Sequence, residues 1–257
     1  MANIIAVTGK GGTGKTTLTG LLIDYLAKTG RRPILVVDAD ANSNLNEVLG
    51  VEVKTTLGEL RETVMRADLD PANPIPAAMS KQEYLDGRFA EALFEEDDYD
   101  MLVMGRTQGT GCYCFVNGLL KTQIQKYSGG YKYMVVDNEA GMEHISRGVL
   151  PTVDIILLVS DPSRRGIQAA ARIRDLVDEI GLNPQAVRLI VNKAPEGRLD
   201  EGTREEIEKH GLALAGVVPA DPLIYEYDCA GKPTVTLPED AAARKAFDAI
   251  LDEIIPK

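Results

Sequence analysis

Gly9-Lys10-Gly11-Gly12-Thr13-Gly14-Lys15-Thr16-Thr17 is the stretch on which the reading of this chain turns. It follows a short apolar run, Ile4-Ile5-Ala6-Val7. It precedes Leu18, Leu21, Leu22, Tyr25 and Leu26, whose spacing is that of one helix face. Strand, glycine-rich loop and helix, with Gly9, Gly14, Lys15 and Thr16 matching G-x-x-x-x-G-K-[ST], predict a phosphate-binding loop. Glycines let the backbone curl so that successive N–H groups point at a polyphosphate. The positive end of the helix lies behind them. Lys15 then reaches the β- and γ-phosphates, and the Thr16 hydroxyl ligates Mg²⁺. Lys10 is not required by this pattern. A chance glycine-rich turn is the alternative, and the flanking strand and helix argue against it.

The chain has 257 residues, 44% of them hydrophobic, enough for a sizeable core. No apolar run approaches a membrane span, and no basic-plus-apolar leader precedes the first strand, so a cytoplasmic protein is expected. Three cysteines, Cys112, Cys114 and Cys229, suit a reducing compartment better than a disulfide scaffold. The formal charge of −11 disfavours non-specific binding to nucleic acid or to an anionic membrane. With two histidines, His144 and His210, a site needing several imidazoles must recruit another molecule.

Apolar runs at 34–38, 101–104, 133–137, 153–159, 187–191 and 214–218 read as strands buried on both faces. Helical spacing appears between them, at Ile173, Leu176, Val177 and Ile180 and at Ala243, Phe247, Ile250, Leu251 and Ile254. A shorter helix is suggested by Leu57, Leu60 and Val64. The alternation predicts an α/β, doubly wound parallel sheet in a single domain over 1–257, with ligand at the carboxyl ends of the strands. The stretch 68–100, with Pro71, Pro74, Pro76 and the acidic run Glu95–Asp98, is expected to project from the sheet as loops and short helices.

Hydrolysis needs carboxylates beside the loop. Asp137, ending the fourth expected strand before Asn138-Glu139-Ala140-Gly141, is assigned to water-mediated Mg²⁺ contact. Asp40 is the candidate for polarising the attacking water, and Asp38 a second metal-shell candidate. The alternative is that one of Asp38 and Asp40 caps the next helix. After the strand at 187–191, the Asn192 amide can donate to and accept from a purine. Asn192-Lys193 lacks an aspartate two places on, since residue 195 is proline, which favours adenine over guanine. Pro219-Ala220-Asp221-Pro222 either flanks the base or is a plain turn.

Residues 9–17 resemble the deviant Walker A motif of the nitrogenase iron protein, MinD and ParA-type ATPases. The resemblance extends over most of the chain, with Asp38–Asn44 as switch I, Asp137–Gly141 as switch II and Asn192 as the adenine contact. It implies an ATP-dependent homodimer with a seven- or eight-stranded, mostly parallel sheet, in which Lys10 reaches the partner's nucleotide.

Gly111-Cys112-Tyr113-Cys114 precedes Val116, Leu119, Leu120 and Ile124 at helical spacing. A helix N-terminus favours thiolate, and thiolates suit Ni²⁺, Zn²⁺ or Cu⁺. Cys112 and Cys114 supply two ligands of a four-ligand site, and a two-fold axis beside them would supply four. Buried structural cysteines or a redox disulfide are the alternatives. Residues 105–106 through 111–114, with 117–120 and 137–144, resemble the CooC-type nickel-insertion ATPases. That resemblance implies a maturation factor for carbon monoxide dehydrogenase or acetyl-CoA synthase, working with ATP and Mg²⁺ and holding Ni²⁺ (or Zn²⁺) between subunits. An ATP-gated iron–sulfur reductase or scaffold of the nitrogenase iron protein type is the competing expectation.

Overall fold

Successive side chains of a strand leave opposite faces of the sheet, so an unbroken apolar run must be covered on both sides. The computed structural model satisfies that requirement. It describes residues 2–256 other than 41, 43, 68–74, 77, 107–117, 119–120, 123–127 and 139–151. The strands are β1 (Asn3–Gly9), β2 (Ile34–Asp38), β3 (Leu93–Glu95), β4 (Tyr99–Val103), β5 (Tyr133–Asp137), β6 (Ile155–Ser160), β7 (Ala186–Ala194) and β8 (Leu214–Pro219). They form an eight-stranded sheet in the order β3-β4-β2-β5-β1-β6-β7-β8. Every pairing is parallel except that of β3 with β4.

One face of the sheet presents Ile5, Val7, Val36, Val135, Leu157 and Ile190 to α1 (Lys15–Lys28) and α8 (Ala242–Ile254). The other presents Ala6, Leu35, Val37, Met134, Val136, Leu158 and Val191 to α3 (Leu57–Arg66), α4 (Lys81–Ala92), α5 (Arg164–Glu179) and α6 (Glu201–Lys209). Burying one such leucine or isoleucine contributes roughly 1.5–3 kcal/mol. The remaining helices, α2 (Leu45–Leu49) and α7 (Pro222–Cys229), lie in the segments that follow β2 and β8. No helix among the described residues is long and apolar enough to cross a membrane.

From β1 the chain moves outward to β2 and β4, returns to β5, and then builds β6, β7 and β8 on the opposite side. The direction of winding therefore reverses at β1, and a crevice opens at the carboxyl ends there. The segments leaving β1 and β2 meet Lys193 of β7 at this crevice.

The strand expectations at 34–38 and 133–137 coincide with β2 and β5, and the others shift by one to three residues at their ends. Two expectations need correction. Residues 81–95 do not project from the sheet: Leu85 and Phe89 are fully buried in the core under α4. The prolines all precede this helix, and its start is a capping box in which Ser80 Oγ accepts from Glu83 N and the Glu83 carboxylate accepts from Ser80 N. The second correction is β3, whose antiparallel pairing makes Asp137 the end of the fifth strand. Three residues beside an acidic run carry too little periodicity to be read as a strand.

Candidate functional site

The phosphate loop joins β1 to α1 as expected, and its helix starts differently from its neighbours. Helices α3, α4, α5, α6 and α7 each begin with a side chain accepting from a first-turn N–H. Helix α1 has none; its N-cap is Gly14 at φ 89°. Its first N–H groups are left without a side-chain cap, the condition for binding an anion there. Gly9 is needed for another reason: a Cβ at that position would collide with the Val159 carbonyl of β6.

Inside the loop, Thr13 Oγ1 donates to the Lys10 carbonyl at 2.9 Å, and Lys15 Nζ donates to the same oxygen at 3.4 Å. Gly11, Gly12, Gly14, Lys15, Thr16, Thr17, Asp40, Asn42, Asn44 and Lys193 line a cavity of about 610 Å³. A second cavity of about 700 Å³ shares Thr16, Thr17 and Asn44 with it and runs on to Lys232-Pro233-Thr234. Lys15 and Asp40 are thus brought to one space. Lys10 is exposed and lies outside that lining.

Asp38 and Asp137 are register partners on β2 and β5, and both are buried. Burial pushes the Asp137 carboxyl up to about 6, against the Thr16 hydroxyl, the Lys15 charge and the Thr19 hydroxyl, which all favour the carboxylate. Burial and the neighbouring Asp137 push Asp38 up to about 7. Two desolvated carboxylates beside a hydroxyl-bearing phosphate loop are a hard, oxygen-rich donor set, which fits Mg²⁺. Thr16 and Asp137 could hold it, with Asp38 beside them in register.

Asp38 and Asp40 differ in their contacts. Asp38 Oδ1 accepts from Asp40 N at 3.1 Å, and Oδ2 accepts from Leu45 N, the first residue of α2, at 3.3 Å. Asp38 therefore spans and caps the loop 39–44. Asp40 lines the cavity, with Oδ1 accepting from Asn42 N at 2.8 Å.

Asn192, expected beside a purine, is 3% exposed. Its Nδ2 donates to the Thr13 carbonyl at 2.9 Å, and its Oδ1 accepts from Lys193 N at 2.9 Å. The Lys193 Nζ donates to the Gly12 carbonyl at 2.9 Å. In the turn after β8, the Asp221 carboxylate accepts from Leu223 N and from Ala243 N, both at 3.0 Å, which caps α7 and ties α8 to it. Pro219 pairs with Ala194, beside the Asn192–Lys193 segment. Cys112 and Cys114 lie outside the described residues, as does switch II beyond Asn138.

Sequence reasoning passed over Thr19 and gave Asn138 no role of its own within switch II. Thr19 Oγ1 sits 2.9 Å from the Lys15 carbonyl and 3.2 Å from Asp137 Oδ1. Its signal was the four-residue spacing from Lys15 on a helix face. Asn138 Nδ2 donates to the Val7 carbonyl at 3.1 Å, tying the end of β5 to the strand that feeds the loop.

A family model described as the CobQ/CobB/MinD/ParA nucleotide binding domain matches residues 4–235. An uncharacterised ATP-binding protein of Methanocaldococcus jannaschii is 43% identical over 255 residues, 99% of each chain. The carbon monoxide dehydrogenase accessory protein CooC of Rhodospirillum rubrum is 30% identical over 234 residues, 88% of this chain and 87% of its own. The Pyrococcus horikoshii septum site-determining protein MinD, solved with Mg-ADP, superposes with a TM-score of 0.72 at 23% identity, over 99% of this chain and 96% of its own. That last likeness is one of fold.

Proposed function

The chain belongs to the CobQ/CobB/MinD/ParA nucleotide binding domain family, and on that premise we propose that it is an ATP-dependent metallochaperone. In this reading a homodimer binds nickel on thiolates and delivers it to carbon monoxide dehydrogenase or acetyl-CoA synthase. The supporting observation is the 30% identity to CooC across 88% of the chain. Cys112 and Cys114 supply the chemistry that a nickel carrier needs.

The single domain then works as a nucleotide-driven clamp. Gly9–Thr17 takes the phosphates, with Lys15 on the β- and γ-groups. Thr16 and Asp137 would hold Mg²⁺, which would neutralise phosphate charge there. Asp40 orients the attacking water from the lip of the same cavity. Lys10 extends to the partner's nucleotide and draws two subunits together, which gathers Cys112 and Cys114 of both chains around the cargo ion. Pro219 and the turn at Asp221 border the base. Hydrolysis releases the closure and the thiolates part.

The test is anaerobic metal analysis with oligomer size, with and without ATP, on the wild type and on the Cys112→Ser, Cys114→Ser double variant. Close to one nickel per ATP-closed dimer is expected, lost in the double variant. Unchanged nickel binding by that variant would sink the clamp. A brown protein carrying iron and sulfide on the same thiolates would favour an iron–sulfur reductase or scaffold. ATP-driven dimers without metal would favour a positioning ATPase.

A further inference from the structure

We propose that Arg106 is a positioning residue for hydrolysis, acting through Asn42 to hold the Asp40 carboxylate where it orients the attacking water. The proposal rests on the role of Asp40 in the ATPase reading and adds to it a residue from a different segment of the chain.

Arg106 follows β4, and the backbone that carries it is fixed on two sides. Strands β4 and β2 end level, with Val103 beside Asp38. Met104 N donates to the Asp38 carbonyl at 2.9 Å, which carries the pairing one residue past β4. On the other side, the Met104 carbonyl accepts from Gly58 N, in the first turn of α3, at 2.8 Å. Gly105 then turns the chain at φ 65° against Thr56, whose side chain a Cβ there would overlap. A Cβ on Gly58 would likewise collide with the Arg106 carbonyl. These contacts set the root of the Arg106 side chain.

From that root, Arg106 Nη2 donates to Asn42 Oδ1. Asn42 N donates in turn to Asp40 Oδ1 at 2.8 Å, and Asn42 and Asp40 line the phosphate cavity together. A relay thus runs from the end of β4 to the carboxylate assigned to water. Asp38 pins the two ends of 39–44, at Asp40 N and at Leu45 N, and Arg106 reaches its middle. An arginine can only donate, so the Asn42 oxygen faces it, and the Nδ2 hydrogens are what this amide keeps to give. The planar guanidinium loses less freedom per bond than a lysine ammonium, which suits holding one amide in one orientation. Arg106 and Asn42 are both exposed, so their pairing serves position rather than core packing. Position matters here, because misplacing a reacting group by about 1 Å costs on the order of 100-fold in rate.

Steady-state ATP hydrolysis with Mg²⁺ and equilibrium binding of ADP are measured on the full chain as wild type, Arg106→Ala, Asn42→Ala, the double variant, Arg106→Lys and Asp40→Asn. Asn42→Ala leaves its backbone N–H on Asp40, so it removes the tether alone. Arg106→Ala and Asn42→Ala should each lower kcat by about tenfold, the scale of one lost hydrogen bond, with KM for ATP and ADP affinity unchanged. The double variant should be no slower than either single one, since both remove the same contact. Arg106→Lys keeps a donor and should recover most of the rate. Because both side chains are at the surface, the Arg106 and Asn42 variants should unfold at the wild-type temperature. A raised KM in Arg106→Ala that Asn42→Ala does not share would make Arg106 an attractor of phosphate and overturn the proposal. Losses that multiply in the double variant would overturn it too, as would an unchanged kcat in both single variants while Asp40→Asn is slow. Wild-type turnover by Asp40→Asn would instead remove the water-orienting reading of Asp40 itself.

Discussion

One methyl group at residue 14 separates the loop's two requirements, backbone conformation and packing. Gly14 has φ 89°, and a Cβ would press on the Asn192 amide. Gly14→Ala is expected to cost about 1–3 kcal/mol for the left-handed backbone alone. Chemical unfolding should register that loss, while the thermal shift given by ADP should vanish. Thr19→Val probes the neighbouring carboxylate with almost no change of shape. The hydroxyl lies 3.2 Å from Asp137 Oδ1, and a hydrogen bond to a charged group is worth about 1.5–3 kcal/mol. Burial already pushes Asp137 up to about 6, and losing a donor pushes it further toward the acid form. The expected outcome is weaker Mg²⁺-ATP binding with metal-free nucleotide affinity little altered, read by titration with and without Mg²⁺. Equal losses under both conditions would place Thr19 in helix packing instead. The motif made Lys15 and Thr16 legible from sequence, but Thr19 falls outside it. Its role depends on β5 arriving 118 residues later beside α1.

Among the elements, α5 and α6 are tied by one buried carboxylate. Glu206 accepts from Arg164 Nη2 at 3.0 Å and from Gln168 Nε2 at 2.9 Å, with His210 Nε2 at 3.0 Å. Gln168, then Arg164, hold its carboxyl down at about 2, from an ordinary 4.5. An acid whose pKa is depressed on folding stabilises the fold above its unfolded value, and that contribution is lost as pH falls through the folded value. Thermal unfolding of the wild type should therefore show an acid limb between about pH 4.5 and about pH 2. Glu206→Gln should lower the unfolding temperature at neutral pH and flatten that limb; an unchanged limb would assign the acid sensitivity elsewhere. This tie was not legible in the sequence, where Glu206 is one of several acids in Glu201-Gly202-Thr203-Arg204-Glu205-Glu206. Helix α4 was hidden differently. Its apolar positions, Tyr84, Leu85 and Phe89, follow a proline-rich stretch that dominated the local composition. The capping box at Ser80 and Glu83 was the signal present and unused.

Over the whole molecule, what the sequence reveals follows the range of the interaction. Continuous apolar runs and the glycine loop are local, and they predicted a parallel doubly wound sheet. The observed sheet has eight strands and a loop at its switch point. The contacts of Asn192 and Lys193 with the phosphate loop were not legible in the sequence, because side-chain direction at a bulge depends on register with β8. Lys10 poses the opposite case, a residue whose proposed partner lies beyond its own chain. Its carbonyl is occupied within the loop, accepting from Thr13 Oγ1 and Lys15 Nζ. Its side chain is exposed and makes no hydrogen bond or ion pair among the described residues. Backbone and side chain are thus separable by mutation. Lys10→Ala keeps the carbonyl, so the loop and its affinity for one nucleotide should survive with at most a few-fold change. A lysine that completes the site of a second subunit should leave two marks when removed: ATP-driven dimers lost in sedimentation, and steady-state hydrolysis reduced by about 100-fold or more, the scale of one lost charge stabilising a phosphoryl-transfer transition state. Wild-type and Lys10→Ala chains should also respond differently to concentration, since hydrolysis by a shared site rises more steeply than linearly with protein below the dimerisation constant. A Lys10→Ala protein that turns over ATP at the wild-type rate, with turnover per chain independent of concentration, would make each subunit a complete enzyme and end the shared-site reading of this loop.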